Sequence, residues 1–190
     1  MCHIERMLVL ASNSPRRQQL LEAAGIPFTV RAPNIPEKRL PAESPDEYVR
    51  RLAEQKAYAV PMGPGEVVLA GDTVVVVDGQ ILEKPSDPTD ALRMLRLLSG
   101  REHEVLTGIC LRTANQRIVD SATSRVRFVQ LSESELAAYV ASGEPMDKAG
   151  AYAIQGLASR FIDRVEGDYC NIVGLPISLV YRHLKSLGHL

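Results

Sequence analysis

VVLAGDTVVVV, residues 67–77, is an apolar run rich in β-branched side chains, and it predicts the buried strand from which the rest of the fold follows. The dipeptide Asp78-Gly79 comes directly after it and is typical of a tight hairpin turn, so a short partner strand is expected around Ile81. Residues 105–111 and 118–129 predict a second, longer antiparallel pair joined around Ala114-Asn115. Strands therefore dominate the middle of the chain.

Helix signals alternate with strand signals along the remaining sequence, which favours an α/β fold. Ser14-Pro15 and Asp87-Pro88 each place a capping residue before a proline at the first helical position. Residues 44–47 and 132–135 have the spacing of capping boxes, which begin two further helices. Short strands are predicted at 7–11, 28–31 and 161–165, and a closing helix at 176–187.

Composition excludes several classes of protein. The 190 residues are 45% hydrophobic and 24% charged, and the net charge of −1 argues against binding to nucleic acid through overall charge. No apolar run approaches the length of a membrane-spanning helix, and residues 8–11 are too short for a signal peptide. Cys2, Cys110 and Cys170 lack metal-type spacing and fit a reducing compartment. We expect one domain, residues 1–190, in the cytoplasm, with no nucleic-acid or membrane partner.

The start of the first helix carries charges of the wrong sign for a helix N-terminus. Arg16 and Arg17 lie in the first turn, where the helix dipole disfavours cations by about 0.3–1 kcal/mol each. A bound phosphate reverses this penalty, because backbone N–H groups, the hydroxyls of Ser12 and Ser14 and the two guanidinium groups can then contact one anion. The alternative is a capped surface helix whose arginines reach acidic neighbours.

Asp72 is the one charged residue in the run of residues 67–77. A carboxylate there lies at a strand end facing a cleft, or it is buried and needs a partner. The alternative is that Asp72 only caps a turn. Glu37, in a loop after Ile35-Pro36, is the second carboxylate of interest. Glu37 and Asp72 together could bind one Mg²⁺, with water and phosphate oxygens completing the octahedron, although spacing does not show that they meet.

Three further polar residues are candidates for binding a nucleotide. Lys56 lies on a predicted helix, and Lys84 is followed by Pro85, which restricts its backbone. Taken singly, each lysine is most often a solvated surface charge. Gln155 ends a run bracketed by two glycines, and its amide can both donate and accept in reading a base edge. Glutamine beside glycine is also commonplace in turns.

Several segments together resemble the Maf family of nucleoside-triphosphate pyrophosphatases, in family order from about residue 8 to 187. They are Leu10-Ala11-Ser12-Asn13-Ser14-Pro15-Arg16-Arg17, Gly71-Asp72-Thr73-Val74-Val75, Glu83-Lys84-Pro85, Leu98-Ser99-Gly100, residues 147–156 (DKAGAYAIQG) and Val173-Gly174-Leu175-Pro176. The resemblance implies an α/β fold similar to that of inosine-triphosphate pyrophosphatases: an elongated mixed sheet flanked by helices, with two lobes sharing the sheet and a central cleft. It also implies a cytoplasmic, metal-dependent enzyme, using Mg²⁺ or Mn²⁺, that is often a homodimer.

The resemblance also assigns residue roles. It makes Asp72 the catalytic proton acceptor and assigns substrate selection to Arg16, Thr73 and Gln155. Supporting polar roles are implied for Ser12, Arg17, Glu37, Lys56 and Lys84. The Ala-Tyr-x-Ile-Gln-Gly form resembles the subgroup that hydrolyses dTTP and UTP to the monophosphate and pyrophosphate, by metal-assisted attack of water at the α-phosphate.

Two segments depart from the family pattern. Ala70-Gly71 stands where members commonly have Gly-Ala, which could alter the backbone beside the proton acceptor. Residues 168–171 read Asp-Tyr-Cys-Asn where Ser-Tyr-Ser-Asn is more usual, a change that is peripheral. Two alternative functions remain open. One is a pyrophosphatase for a modified or non-standard nucleotide, and the other is a nucleotide-binding regulator of cell division.

Overall fold

One mixed sheet organises the protein in the computed structural model, which describes residues 7–190. Its strands are β1 (Leu8–Leu10), β2 (Phe28–Val30), β3 (Val67–Val77), β4 (Gln80–Leu82), β5 (Glu102–Arg112), β6 (Arg117–Phe128) and β7 (Ile162–Glu166). The order across the sheet is β2-β1-β3-β5-β6-β7, and β4 pairs with β3. Strand β1 pairs in parallel with β2 and β3, whereas β4 and β7 are antiparallel to β3 and β6.

Helices connect these strands in the alternation that the sequence predicts. They are α1 (Pro15–Ala23), α2 (Pro45–Ala59), α3 (Pro88–Leu98), α4 (Glu133–Ala141), α5 (Tyr169–Val173) and α6 (Ile177–Ser186). Three short 3-10 turns span Glu144–Asp147, Ala149–Ala151 and Leu157–Phe161. Both predicted capping boxes are present, at the starts of α2 and α4. Asp78 and Gly79 both have positive φ, as a two-residue hairpin turn with the primed geometry requires.

Two compact units are distinguished within the described chain. The first unit comprises the described residues up to Asp72, Thr107–Ala122 and Gly174–Leu190, and the second unit comprises Thr73–Leu106 and Thr123–Val173. The first unit has a core of small side chains from α2 and the strands, including Ala53, Ala57 and Ala70. The core of the second unit is built around larger side chains such as Phe128, Tyr139, Tyr152 and Phe161.

Helix α2 lies unusually close to strand β5, and Gly108 permits this. A Cβ at Gly108 would lie 2.7 Å from the backbone nitrogen of Arg50 and closer still to the carbonyl of Val49. The obstacle is helix backbone, which cannot rotate away as a side chain can. The absence of a side chain at Gly108 therefore sets the depth at which α2 packs on the sheet.

Replacing Gly108 with Ala is expected to destabilise the protein by about 1–3 kcal/mol, because overpacking forces the backbones of α2 and β5 apart. Chemical denaturation would measure this as a lower midpoint at an unchanged m-value. Gly63 provides the matched control, since an added Cβ there meets only the end of the Glu66 side chain. If the two alanine variants were equally stable, the close approach of helix and strand would not limit this position.

Two expectations from composition concern membranes and cysteines. In the part of the chain that the structure describes, no helix is both long enough and apolar enough to cross a membrane. Cys110 is buried and Cys170 is half-buried, and both are free thiols; Cys2 lies outside the described residues. Burial raises the pKa of Cys110 to about 12 and also raises the pKa of Cys170. Neither thiol is therefore activated as a nucleophile at neutral pH.

Candidate active site

Asp72 is buried on the face of β3 that packs against helix α2. Side chains alternate along a strand, so Asp72 shares a face with Val68 and Ala70, which belong to the core of the first unit. Only 8% of the Asp72 side chain is exposed, and its Oδ1 accepts a hydrogen bond of 2.6 Å from Lys56 Nζ. The position inside β3 and the pairing with Lys56 exclude the alternative that Asp72 only caps a turn.

Lys56 occupies a core-facing position of α2 even though it is charged. It lies three residues after Ala53 and next to Ala57, both of which are fully buried, and this spacing defines the apolar side of the helix. Its own side chain is 8% exposed. A charge at a core-facing helical position is a signal in the sequence for a buried ion pair. The interpretation of Lys56 as a solvated surface charge does not use this signal.

Glu37 joins this pair from the loop between β2 and α2. Its Oε1 lies 2.8 Å from Lys56 Nζ, and 45% of its side chain is exposed. The structure therefore brings Glu37 and Asp72 into contact with one ammonium group, a meeting that spacing in the sequence could not show. Within residues 7–190, no group of three or more His, Cys, Asp or Glu is placed to bind a metal ion. Two carboxylates nevertheless fit Mg²⁺ or Mn²⁺, which usually take most of their ligands from water and substrate phosphates.

The start of α1 is organised by Ser12 and Arg17. Arg17 Nε donates to the carbonyl oxygen of Gly174 at 2.7 Å, and its Nη1 donates to Ser12 Oγ at 3.2 Å. The same hydroxyl accepts from the backbone N–H of Ser14 at 3.1 Å. Ser14 is the N-cap residue, as predicted, but its side chain makes no capping hydrogen bond. Arg16, the other arginine of the first turn, is half-buried.

The charged groups of the first unit influence one another's ionisation. Burial raises the pKa of Asp72, against the opposing effects of Lys56 and Arg17, and Glu37 raises it further. Burial also lowers the pKa of Arg17, which Asp72 opposes and Arg16 reinforces. A carboxylate whose pKa is raised binds a proton more strongly than an exposed aspartate does. The cluster is therefore arranged to make Asp72 basic while keeping a cation beside it.

Gly71, the departure from the family pattern, lies within β3 and leaves the strand regular, since its φ is not positive. A Cβ here would lie 3.3 Å from the carbonyl oxygen of Gly108 and 3.5 Å from Arg17 Nε. The first of these distances is tighter than ordinary contact. Glycine therefore lets the guanidinium group of Arg17 and the neighbouring strand approach without strain.

Three candidate residues belong to the second unit. Thr73 is half-buried and follows Asp72 directly, so its side chain points to the other face of β3. Lys84 is exposed after β4, beside Glu83, whose carbonyl oxygen accepts from Gly150 N at 3.1 Å. Gln155 is exposed in a turn closed by a 3.1 Å hydrogen bond from Gly156 N to the carbonyl oxygen of Ala153.

Sequence reasoning missed an ion pair that supports the loop of Glu37. Arg51 on α2 binds both carboxylate oxygens of Glu43, at 2.5 and 2.7 Å, and it donates to the carbonyl oxygen of Lys38 at 3.0 Å. Glu43 also accepts from Leu40 N at 3.0 Å, and Arg51 lowers its pKa. This pair fixes residues 38–43, which follow Glu37 directly. The signal available in the sequence was Glu43 just before a capping box and Arg51 about two turns into the helix, a spacing that could have predicted this ion pair.

Comparisons with known proteins agree on one family and one fold. A family model described as Maf-like protein matches residues 7–187. The dTTP/UTP pyrophosphatase of Koribacter versatilis is 50% identical over 182 residues, which cover 95% of this chain and 94% of that protein. The dTTP/UTP pyrophosphatase of Symbiobacterium thermophilum is 49% identical over 185 residues, covering 97% and 95%.

Among solved structures, the Staphylococcus aureus Ham1 protein matches with a TM-score of 0.53 at 15% identity. The match covers 95% of this chain and 99% of that one, and at this identity it concerns the fold alone. The predicted α/β class, with a mixed sheet flanked by helices as in the inosine-triphosphate pyrophosphatases, is confirmed.

Proposed function

The chain belongs to the Maf family, and from this we propose that it is a pyrophosphatase that hydrolyses dTTP and UTP to the nucleoside monophosphate and pyrophosphate. The observation that carries the proposal is that relatives named dTTP/UTP pyrophosphatase are about 50% identical to this chain over almost its full length. The buried carboxylate of Asp72, paired with Lys56 and close to Arg17 of α1, supports the same chemistry.

Asp72 is proposed as the proton acceptor for the attacking water. The water oxygen bonds to the α-phosphorus, the bond from that phosphorus to the bridging oxygen breaks, and pyrophosphate leaves with the bridging oxygen. Lys56 binds Oδ1 of Asp72 and holds the carboxylate in one orientation. The other carboxylate oxygen of Asp72 can then take the proton that the water loses. The raised pKa of Asp72 supports this role, because a carboxylate with a higher pKa binds the proton of the water more strongly.

The basic side chains are proposed to neutralise the triphosphate and the charge that develops on the leaving group. Arg16 and Arg17 lie in the first turn of α1, where backbone N–H groups and the hydroxyls of Ser12 and Ser14 can also contact a phosphate. Lys56 and Lys84 add two further cations. In phosphoryl-group chemistry such electrostatic stabilisation is the main contribution of the protein.

We further propose that Glu37 and Asp72 bind a divalent cation, Mg²⁺ or Mn²⁺, as the family resemblance implies. When bound, such a cation supplies charge for the phosphate oxygens and lowers the pKa of a coordinated water. Lys56 contacts both carboxylates, so the two proposed ligands lie beside the same ammonium group. On the resemblance alone, we also propose a cytoplasmic enzyme that forms a homodimer.

Gln155 is proposed to read the base, together with Arg16 and Thr73 as the other selecting residues. Thymine and uracil both present an acceptor, O4, beside a donor, N3–H. A side-chain amide can donate to the first and accept from the second. The exposed position of Gln155 in a closed turn supports this, because the amide is available to a ligand while its backbone is held.

A panel of nucleoside triphosphates tests the function. Monophosphate and pyrophosphate should form in equal amounts from dTTP and UTP, faster with Mg²⁺ or Mn²⁺ than with EDTA, and CTP should be a poor substrate. Turnover confined to modified nucleotides would favour the alternative pyrophosphatase. Thermal stabilisation by nucleotide without turnover would favour the alternative of a nucleotide-binding regulator.

The Gln155→Glu variant is expected to lose preference for UTP over CTP by about 10- to 100-fold, because the carboxylate cannot donate to O4. The ratio of kcat/KM for the two substrates measures this. Gln130→Glu is the matched control, since Gln130 is also exposed in the second unit but bonds to Ser99 outside the turn. An unchanged ratio in the Gln155 variant would remove Gln155 from base reading.

A further inference from the structure

A tyrosine and a glutamate hold both sides of the turn that carries Gln155. Tyr139, on α4, donates its hydroxyl hydrogen to Glu144 Oε1 at 2.8 Å and accepts from Ala153 N at 3.3 Å. The second oxygen of Glu144, Oε2, accepts from Leu157 N at 3.0 Å. The backbone is thus tied two residues before Gln155 and two residues after it.

The turn between these two ties is itself closed. Gly156 N donates to the carbonyl oxygen of Ala153, which leaves Ile154 and Gln155 at the two central positions. Gly156 packs directly against the carboxylate of Glu144, and a Cβ there would overlap both oxygens. The carboxylate of Glu144 therefore supports the turn in two ways: it packs against the turn and it accepts a hydrogen bond from it.

The support for this turn is rigid because it belongs to the core of the second unit. Tyr139 is fully buried and packs edge-on against Phe161, with ring centroids 5.4 Å apart. Burial raises the pKa of Tyr139, so its hydroxyl stays neutral and can donate and accept at once. The segment before the turn is fixed too, since a Cβ at Gly150 would lie 2.7 Å from a methyl carbon of Val75.

We propose that Glu144 and Tyr139 are positioning residues that set the base preference of the enzyme by fixing the turn of Gln155. The inference rests on the proposed function and deepens it. One amide can discriminate uracil from cytosine only if it is held to within about 0.5 Å of the productive geometry. Glu144 and Tyr139 bond to each other and to the turn, whereas the reaction at the α-phosphate is assigned to Asp72, so that chemistry should continue when either residue is changed.

Two variants test the inference through substrate preference. Tyr139→Phe removes the tie to Ala153 and keeps the aromatic packing, and Glu144→Gln can no longer accept from both Tyr139 and Leu157. Each should lower the ratio of kcat/KM for UTP over CTP by about 10-fold, with kcat for UTP changed by less than about 3-fold. Amide hydrogen exchange at Ala153 and Leu157 should be faster in both variants.

Matched controls separate positioning from general stability. Glu133→Gln makes the same chemical change in the first turn of α4, where the carboxylate pairs with Arg96 and not with the turn. Leu98→Ala removes a fully buried side chain from the core of the second unit and lowers its stability. Both controls should keep the UTP preference. A loss of preference in Leu98→Ala as large as in the two test variants would overturn the inference, since destabilisation alone would then explain it.

Gln155→Ala identifies which proposal fails. If Gln155→Ala lowers the UTP preference and neither test variant does, the positioning role is wrong and the proposed function stands. If Gln155→Ala leaves the preference unchanged in an active enzyme, base reading by Gln155 is wrong and the positioning role falls with it. If the unmodified protein releases no pyrophosphate from any nucleotide, the proposed function itself is wrong.

Discussion

Replacing Asp72 with Asn is expected to lower kcat for pyrophosphate release from UTP by about 100- to 10,000-fold. The amide has nearly the same shape as the carboxylate, but it cannot take a proton from water at neutral pH. The KM for UTP should change much less, because the basic groups that are proposed to contact the triphosphate remain. Steady-state rates at saturating UTP, with Mg²⁺ or Mn²⁺, measure the loss.

Asp78→Asn provides the matched control for this change. Asp78 lies in the hairpin turn that ends the same strand, where it is exposed and pairs with Arg101. Its variant should keep near-normal kcat. The central assignment of Asp72 would be wrong if the Asp72 variant, folded by its circular dichroism and thermal melt, also released pyrophosphate at a near-normal rate.

Replacing Lys56 with Met is expected to have the largest effect on stability, about 3–5 kcal/mol of the free energy of unfolding. The methionine fills the same space, but it leaves the buried carboxylate of Asp72 without its 2.6 Å partner. Denaturant unfolding at pH 7 measures the loss. Removal of an exposed pair, as in Arg96→Met, should have little effect by comparison, because water and salt screen such pairs.

The loss in Lys56→Met should depend on pH in a direction that identifies its cause. Burial already raises the pKa of Asp72 above its usual value, and removing the ammonium group raises this pKa further. A carboxyl group with a higher pKa in the folded state favours folding when protonated. That contribution is complete below the unfolded pKa of about 3.9 and is lost as pH rises through the higher folded pKa. The difference between Lys56→Met and the unmodified protein should therefore shrink in acid.

The double variant Lys56→Met with Asp72→Asn completes the experiment. Removing both charges leaves no buried carboxylate at position 72, and Glu37 is 45% exposed and so remains solvated, so much of the stability lost in Lys56→Met should return. A double variant no more stable than Lys56→Met would show that the lysine acts through packing, and the electrostatic explanation would be wrong.

Much of the fold could be predicted because its strongest signals are local. The strand β3 has the predicted bounds, and the hairpin at Asp78-Gly79 follows from residues that accept positive φ. Strand β5 begins three residues before its predicted start, at Glu102, because polar residues at a strand end do not show apolar alternation. Helix α5 was missed because five residues are too few for helical periodicity, and contacts such as that of Asn171 with the carbonyl oxygen of Val105 fix its position.

The candidate site could be predicted only as a set of separate residues. Asp72 was conspicuous because a charge in an apolar strand needs an explanation. Its contact with Lys56, and that of Lys56 with Glu37, depend on how α2 and the loop before it pack on the sheet. The carbonyl oxygen of Gly174, which binds Arg17, has no signal in the sequence at all, because every residue has a carbonyl group. Pairing between distant segments is the information that a single sequence lacks.

Gly108 has a consequence for how related sequences should be interpreted. The residue contributes no atom to any reacting group, yet the backbone of α2 fills the space where any side chain would lie. Random mutagenesis with a screen for stability should therefore find few substitutions tolerated at this position. If both residues were invariant among relatives, the invariance of Asp72 would reflect the need for its carboxylate. The invariance of Gly108 would reflect the need for close approach of α2 to β5. Conservation of Gly108 taken alone would therefore be no guide to where the substrate binds.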